Sequence, residues 1–78
     1  MRRVTLYAKP YCPLCHKAEE TILELQSRLG FFFEKIDISQ SEKLFEQYQY
    51  DIPIILIDGL ERFRHRVTKE ELESALRT

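Results

Sequence analysis

The sequence predicts an α/β fold in which a four-stranded mixed sheet packs with three helices, in the order β-α-β-α-β-β-α. The first observation is a helical pattern within residues 13–29, where apolar residues recur every three or four positions. The second is the Asp58-Gly59 pair between two strand-like runs, which predicts a tight turn and an antiparallel strand pair. The third is the β-α-β order at the start, which requires a crossover to a parallel strand.

The first two elements are bounded by clear local signals. Residues 4–8 form a β-branched and aromatic run, and Pro10 ends it because proline cannot extend a β-ladder. Pro13 suits the first turn of the helix that follows, and Gly30 stands where a left-handed residue usually ends a helix. These signals predict a strand over 4–8 and a helix over 13–29.

The later elements are predicted from capping signals and apolar runs. Residues 31–38 form the second predicted strand, and residues 39–42 have the spacing of a capping box that begins a short second helix. The unbroken apolar run 54–57 predicts a buried third strand. The fourth strand is expected over 60–67. A second capping box at 68–71 begins the last helix, which is expected to run nearly to the C-terminus.

Length and charge exclude several classes of protein. Seventy-eight residues predict a single domain, residues 1–78. Twelve basic and thirteen acidic residues give a net charge of −1, which is not typical of a nucleic-acid binder. No apolar run approaches the roughly 20 residues of a spanning helix, and residues 1–4 are not followed by the apolar stretch of a signal peptide. We expect a cytoplasmic monomer that uses neither nucleic acid nor membrane as a partner.

The two cysteines, Cys12 and Cys15, are best explained by chemistry. A disulfide between them would close a very short loop and would stabilise the fold little. They lie where the first strand meets the first helix, so unpaired N–H groups and the helix dipole favour a thiolate at Cys12. Lys9 adds a positive charge nearby. Cys15, one turn later, is placed to attack a mixed disulfide formed by Cys12.

The cysteine pair has three other readings. Cys12 to His16 also match C-x-x-C-H, the attachment motif of c-type haem, but no axial methionine is evident downstream. A closed zinc site needs four ligands, and only Cys12, Cys15, His16 and His65 are candidates. His16 follows Cys15 directly in the helix and therefore points elsewhere. Two ordinary buried thiols are the third reading, which the proline between them disfavours.

Two separate segments resemble the glutaredoxins. Residues 7–15 are similar to the family's active-site segment, whose usual form has Tyr or Phe where Leu14 stands. Residues 51–53, Asp-Ile-Pro, resemble the Thr-Val-Pro segment, in which the proline is cis and faces the nucleophilic cysteine. The resemblance extends over essentially the whole chain. It implies a thioredoxin-like, glutaredoxin-type fold of three layers.

The resemblance also implies a role for each site residue. Cys12 is the nucleophile and Cys15 the resolving thiol of a dithiol–disulfide oxidoreductase with no bound cofactor and no metal. Its partners are disulfide-containing proteins, and glutathione or a flavoprotein of the thioredoxin-reductase kind is its reductant. Four residues are expected to bind substrate: Lys9, Tyr11, Ile52 and Pro53.

The chain departs from the glutaredoxin pattern after the predicted hairpin. Glutaredoxins have a Gly-Gly pair and an acidic residue there, whereas this chain has Phe63, Arg64 and His65. We expect these side chains to crowd glutathione, although Arg64 is a candidate anion-binding residue. Arg62, Arg64 and Arg66 are expected to share one face of the fourth strand, where they protect a sheet edge or bind anions. Two further functions stay open: a metal or iron–sulfur carrier using Cys12, and a redox-inert interaction module.

Overall fold

A computed structural model describes residues 2–77. None of the helices in this range is both long and apolar enough to cross a membrane. The element order is the predicted β-α-β-α-β-β-α, with one added 3-10 turn, so the fold class is confirmed. The elements are β1 (Arg3–Ala8), α1 (Pro13–Leu29), β2 (Phe32–Asp37), a 3-10 turn (Ile38–Gln40), α2 (Glu42–Tyr48), β3 (Ile54–Ile57), β4 (Leu60–Arg64) and α3 (Lys69–Leu76).

The sheet has the strand order β2-β1-β3-β4. β1 is parallel to β2 and antiparallel to β3, and β3 is antiparallel to β4. Tyr7 near the end of β1 therefore pairs with Ile54 at the start of β3, and Ile54 pairs with Arg64 at the end of β4. Segments 9–12, 49–53 and 65–68 consequently leave the sheet at the same end, which we name the cysteine end.

The hydrophobic core lies between one face of the sheet and the helices α1 and α3. Val4 pairs with Ile57 and Leu6 pairs with Ile55, so these four side chains share a face. Side chains from both helices complete the same cluster. Its most deeply buried members are Val4, Leu6, Ile22, Leu25, Ile38, Ile55, Ile57 and Leu72.

Two predicted turn and capping signals are confirmed. Asp58 and Gly59 both have positive φ, 51° and 86°, as a two-residue hairpin turn requires. At the start of α3, Glu71 N–H donates to Thr68 Oγ1 at 3.0 Å and Thr68 N–H donates to Glu71 Oε1 at 2.9 Å. This reciprocal pair is the predicted capping box.

The capping box expected at residues 39–42 is wrong. Ser39 N–H donates to the Asp37 carboxylate at 2.9 Å, so Asp37 caps the 3-10 turn and β2 ends there. α2 begins later, where Leu44 N–H donates to Ser41 Oγ at 3.2 Å. The carboxylate of Asp37 is a stronger acceptor than a hydroxyl. It accepts the N–H of Ser39, the residue that the sequence predicts as the cap of α2.

The fourth strand is shorter than expected. β4 ends at Arg64 because His65 is left-handed, with φ 66°, and Arg66 N–H turns back to Arg64 O at 2.7 Å. A register shift also places Arg62 between Glu61, which pairs with Leu56, and Phe63, which pairs with Ile55. The shift interrupts the alternation at Arg62, and Arg66 lies beyond the end of β4, so the three arginines do not share one face of the strand. The last helix ends at Leu76, with Arg77 as its C-cap, so it runs nearly to the C-terminus as expected.

Replacing Thr68 by alanine should lower the stability of the fold. The substitution removes the oxygen that accepts the Glu71 N–H, and loss of such an N-cap costs about 1 kcal/mol. For a domain of this size the melting temperature should fall by roughly 4–8 °C. Ser74→Ala, within the same helix, is the matched control and should change stability by less than about 0.5 kcal/mol. Equal thermal unfolding curves for the two variants, followed by circular dichroism, would contradict the role of the cap.

Candidate active site

The chain between β1 and α1 makes one sharp turn before the cysteines. β1 ends at the buried Ala8, and Tyr11 then adopts φ 60°, in the left-handed region. Its side chain is fully exposed. Cys12 follows in an extended conformation, φ −113° and ψ 102°, and is the N-cap of α1. The turn at Tyr11 therefore places Cys12 at the N-cap position of α1.

Cys12 caps α1 through its sulfur. Cys15 N–H donates to Cys12 Sγ at 3.2 Å, and His16 N–H donates to the Cys12 carbonyl at 3.0 Å as the first helical bond. The two Cα atoms are 5.2 Å apart and the sulfurs form a disulfide. Cys12 is partly buried, whereas Cys15 is 4% exposed. The pair thus has one accessible sulfur and one shielded sulfur.

The helix dipole and Lys9 both favour a negative charge at Cys12. The first turn of α1 contains no acidic side chain, so the positive end of its dipole is not neutralised by the helix itself. Lys9 is exposed and makes no ion pair with any residue in the described range. A thiolate on Cys12 in the reduced protein would meet both of these favourable fields.

A surface cleft of about 510 Å³ lies on the β2 side of the disulfide. Lys9 and Tyr11 line this cleft together with both cysteines, while Ile52 and Pro53 are not among its lining residues. Farther along it, Lys35 Nζ and Glu19 Oε1 form an ion pair at 3.1 Å. Asp37 also lines the cleft, and the hydroxyl and N–H of Ser39 lower the pKa of its carboxyl. Both carboxylates of the cleft already have partners.

Ile52 and Pro53 approach the cysteines from β3. The peptide bond between them is cis, as the resemblance implies, and both residues are buried. The Ile52 side chain packs in the same cluster as Cys12 and Cys15. His65 N–H donates to Pro53 O at 2.8 Å. The backbone N–H and C=O of Ile52 make no hydrogen bond within residues 2–77, so its polar groups are available to an added strand.

Arg64 is not a free cation. Its guanidinium pairs with Glu61, to which one N–H donates at 3.1 Å, and with Asp51 at 3.1 Å. Glu61 is the main cause of a raised pKa for Arg64, and Arg64 lowers the pKa of the Glu61 carboxyl. An external anion would have to displace one of these carboxylates. Asp51, which stands where glutaredoxins have threonine, therefore ties the cis-proline segment to β4.

Phe63 does not crowd the site as expected. Its partner across the sheet is Ile55 on the core face, and its side chain is half-buried against the hydrophobic core. It also lies beside α3, where it lines a shallow depression with Glu70 and Ala75. The register shift at Arg62 places Phe63 on this face.

Sequence reasoning missed two features of the cysteine end. The first is the Asp51–Arg64 pair, which only the strand register brings together. The second is Tyr50, which is 84% exposed immediately before Asp51. The sequence does contain a signal for Tyr50, because an aromatic residue directly before the expected cis-proline segment is a candidate for substrate contact. Within residues 2–77, no three side chains of His, Cys, Asp or Glu come together as potential metal ligands.

A cysteine pair at the N-terminus of the first helix, a cis-proline in the neighbouring segment and this four-stranded sheet define a thioredoxin-like protein. The chain also matches the family model described as "Glutaredoxin-like domain (DUF836)" over residues 3–77. It therefore belongs to the glutaredoxin-like domain family. The family match confirms the resemblance carried by residues 7–15 and 51–53.

Known proteins support the family and the fold. A glutaredoxin-like protein of Dictyostelium discoideum is 28% identical over 81 residues, which cover 96% of this chain and 75% of that protein. A "Probable Thioredoxin" of Methanothermobacter thermautotrophicus is 34% identical over 76 residues, covering 94% and 89%. The X-ray structure of Fasciola hepatica thioredoxin has a TM-score of 0.71 at 20% identity, covering 97% and 78%. That structure supports the fold alone.

In the reduced protein, iodoacetamide should modify Cys12 in preference to Cys15. Cys12 is the more accessible thiol and lies at the positive end of α1, whereas Cys15 is buried. At about pH 6 we expect labelling of Cys12 to be roughly tenfold faster, measured by mass mapping. Labelling of the denatured, reduced chain is the control and should show little preference. Preferential modification of folded Cys15 would contradict this arrangement.

Proposed function

We propose that this protein is a dithiol–disulfide oxidoreductase that reduces disulfides of other proteins. The Cys12 thiolate attacks a substrate disulfide R–S–S–R′, forms Cys12–S–S–R and releases R′–S⁻, which takes up a proton. Cys15 then loses its proton and attacks the Cys12 sulfur, which releases R–S⁻. The substrate gains two electrons and two protons, and the protein is left with the Cys12–Cys15 disulfide.

The asymmetric cysteine pair is the observation that carries this proposal. The sulfur of Cys12 caps α1 and is the accessible one, and Cys15 lies one turn later and almost fully buried. A nucleophile must meet the substrate, whereas a resolving thiol needs only to reach the nucleophile. The Cα atoms of the two cysteines lie 5.2 Å apart, a separation that a disulfide spans.

The backbone of Ile52 supports a docking mode for the substrate. Its polar groups are unpaired within residues 2–77, beside the cysteines, and an extended substrate segment could pair with them as an added strand. Tyr11 and Tyr50 are exposed in the two flanking segments. Aromatic side chains of this kind supply contact area at low entropic cost.

The reductant is either glutathione or a flavoprotein of the thioredoxin-reductase kind. In glutaredoxins, the Gly-Gly pattern admits glutathione between the cis-proline segment and the segment after the hairpin. Here the Asp51–Arg64 pair joins these two segments, so we expect slow turnover with glutathione. Coupling the protein to glutathione reductase or to thioredoxin reductase, with one disulfide substrate, separates the two. We expect faster turnover with thioredoxin reductase than with glutathione and glutathione reductase.

Serine variants of the two cysteines should have opposite effects. Cys15→Ser should accumulate a mixed disulfide at Cys12, because no internal thiol can displace the bound substrate. Cys12→Ser should lose activity by about 100-fold or more, because the nucleophile is absent. Intact mass measured after mixing with a disulfide peptide shows the adduct, and the double variant is the control. Equal residual activity in the two single variants would show that the assigned roles are wrong.

Breaking the Asp51–Arg64 pair should raise turnover with glutathione. An exposed pair contributes at most about 1 kcal/mol, so Asp51→Thr combined with Arg64→Gly should increase the glutathione-dependent rate by up to about fivefold. Glu61→Gln is the matched control, since it removes a partner of Arg64 but leaves the bridge to Asp51. A wild-type rate that is already high and is unchanged in the double variant would refute the obstruction by this pair.

A further inference from the structure

A second groove lies beside the disulfide, on the side opposite the cleft described above. It has a volume of about 390 Å³ and runs between α1 and the segment that joins β4 to α3. Leu14, which stands between the two cysteines and is 38% exposed, lines the groove. We define it by Leu14, Lys17, Thr21, His65, Arg66 and Val67.

The left-handed turn at His65 creates the far wall of this groove. Had β4 continued, Arg66 would have extended the sheet edge. Because Arg66 N–H bonds back to Arg64 O, the chain instead brings residues 65–67 beside α1. An exposed arginine thus faces the same groove as Lys17.

The charges of the groove are unbalanced. Lys17 and Arg66 make no ion pair with any residue of the described range 2–77. Glu71, a carboxylate that also lines the groove, accepts the Thr68 N–H in the capping box. Lys69 is paired with Glu24 at 3.2 Å. The chain has a net charge of −1, yet the groove lining keeps two cations without ion pairs in the described range, Lys17 and Arg66, against one carboxylate, Glu71.

We infer that this groove binds an acidic segment of the disulfide-bearing partner protein. The inference rests on the oxidoreductase function proposed above and names the class of substrate. Carboxylates next to the reactive cysteine of the partner form ion pairs with Lys17 and Arg66. An apolar residue of the partner contacts Leu14 and Val67. Complementary charge of this kind accelerates encounter and selects among partners.

The test uses three disulfide peptides that differ only in the residues following one cysteine, which are acidic, neutral or basic. The pre-reduced full chain reduces each peptide in a single turnover at about 0.01 M and about 1 M salt, where screening is weak and strong. We expect the acidic peptide to react about tenfold faster than the basic one at low salt, with a ratio near one at high salt.

Two charge-matched variants locate the effect. Lys17→Gln combined with Arg66→Gln should reduce the acidic-to-basic ratio to about threefold or less. Arg3→Gln combined with Arg62→Gln removes the same charge from exposed residues outside the groove and should keep the wild-type ratio. All four side chains are exposed, and circular dichroism checks the fold of both variants.

The outcomes separate the two proposals. Equal rates for the three peptides, or an equal loss of preference in both double variants, would overturn the acidic-segment inference and leave the oxidoreductase function standing. No reduction of any peptide by the folded, reduced wild type would overturn the proposed function and this inference with it.

Discussion

The start of α1 imposes the constraint on which the candidate site depends. A helix leaves its first N–H groups without partners, and the chain that enters the helix must supply an acceptor. Serine, threonine or aspartate oxygen is the usual acceptor, but here the Cys12 sulfur accepts the Cys15 N–H at 3.2 Å. The capping position also brings that sulfur within bonding distance of Cys15 and to the positive end of the helix dipole. Local folding and the expected reactivity therefore depend on the same atom.

The topology of the sheet decides what surrounds that sulfur. Because β1 is antiparallel to β3, and β3 to β4, the cis-proline segment and the turn after β4 reach the same end as the cysteines. The His65 N–H bond to Pro53 O and the Asp51–Arg64 pair then join these two segments to each other. Carboxylates at this end already hold partners within the fold, whereas Lys9, Lys17 and Arg66 do not within the described residues. Within the described residues, three cations at the cysteine end are therefore left without an ion pair.

Local signals predicted the parts of the fold whose cause is local. The period of α1, the Asp58-Gly59 turn and the Thr68 capping box each depend on residues a few positions apart, and all three were predictable. The contacts of Arg64 depend on the pairing of β4 across an irregular register between Ile55 and Leu56. A period of two cannot show such a shift, because one inserted residue reverses the face of every later side chain. The internal partner of Arg64 was therefore not predictable from the spacing of the arginines.

The titration of the Cys12 thiol tests the central claim most directly. Absorbance near about 240 nm follows thiolate formation in the reduced protein as the pH is raised, and Cys12→Ser gives the contribution of Cys15. Capping of α1 by the Cys12 sulfur predicts that half of this thiol is ionised below about pH 7.5, since an ordinary cysteine reaches that point near about pH 8.5. A midpoint at or above the ordinary value for Cys12, in a protein that remains folded, would contradict the account.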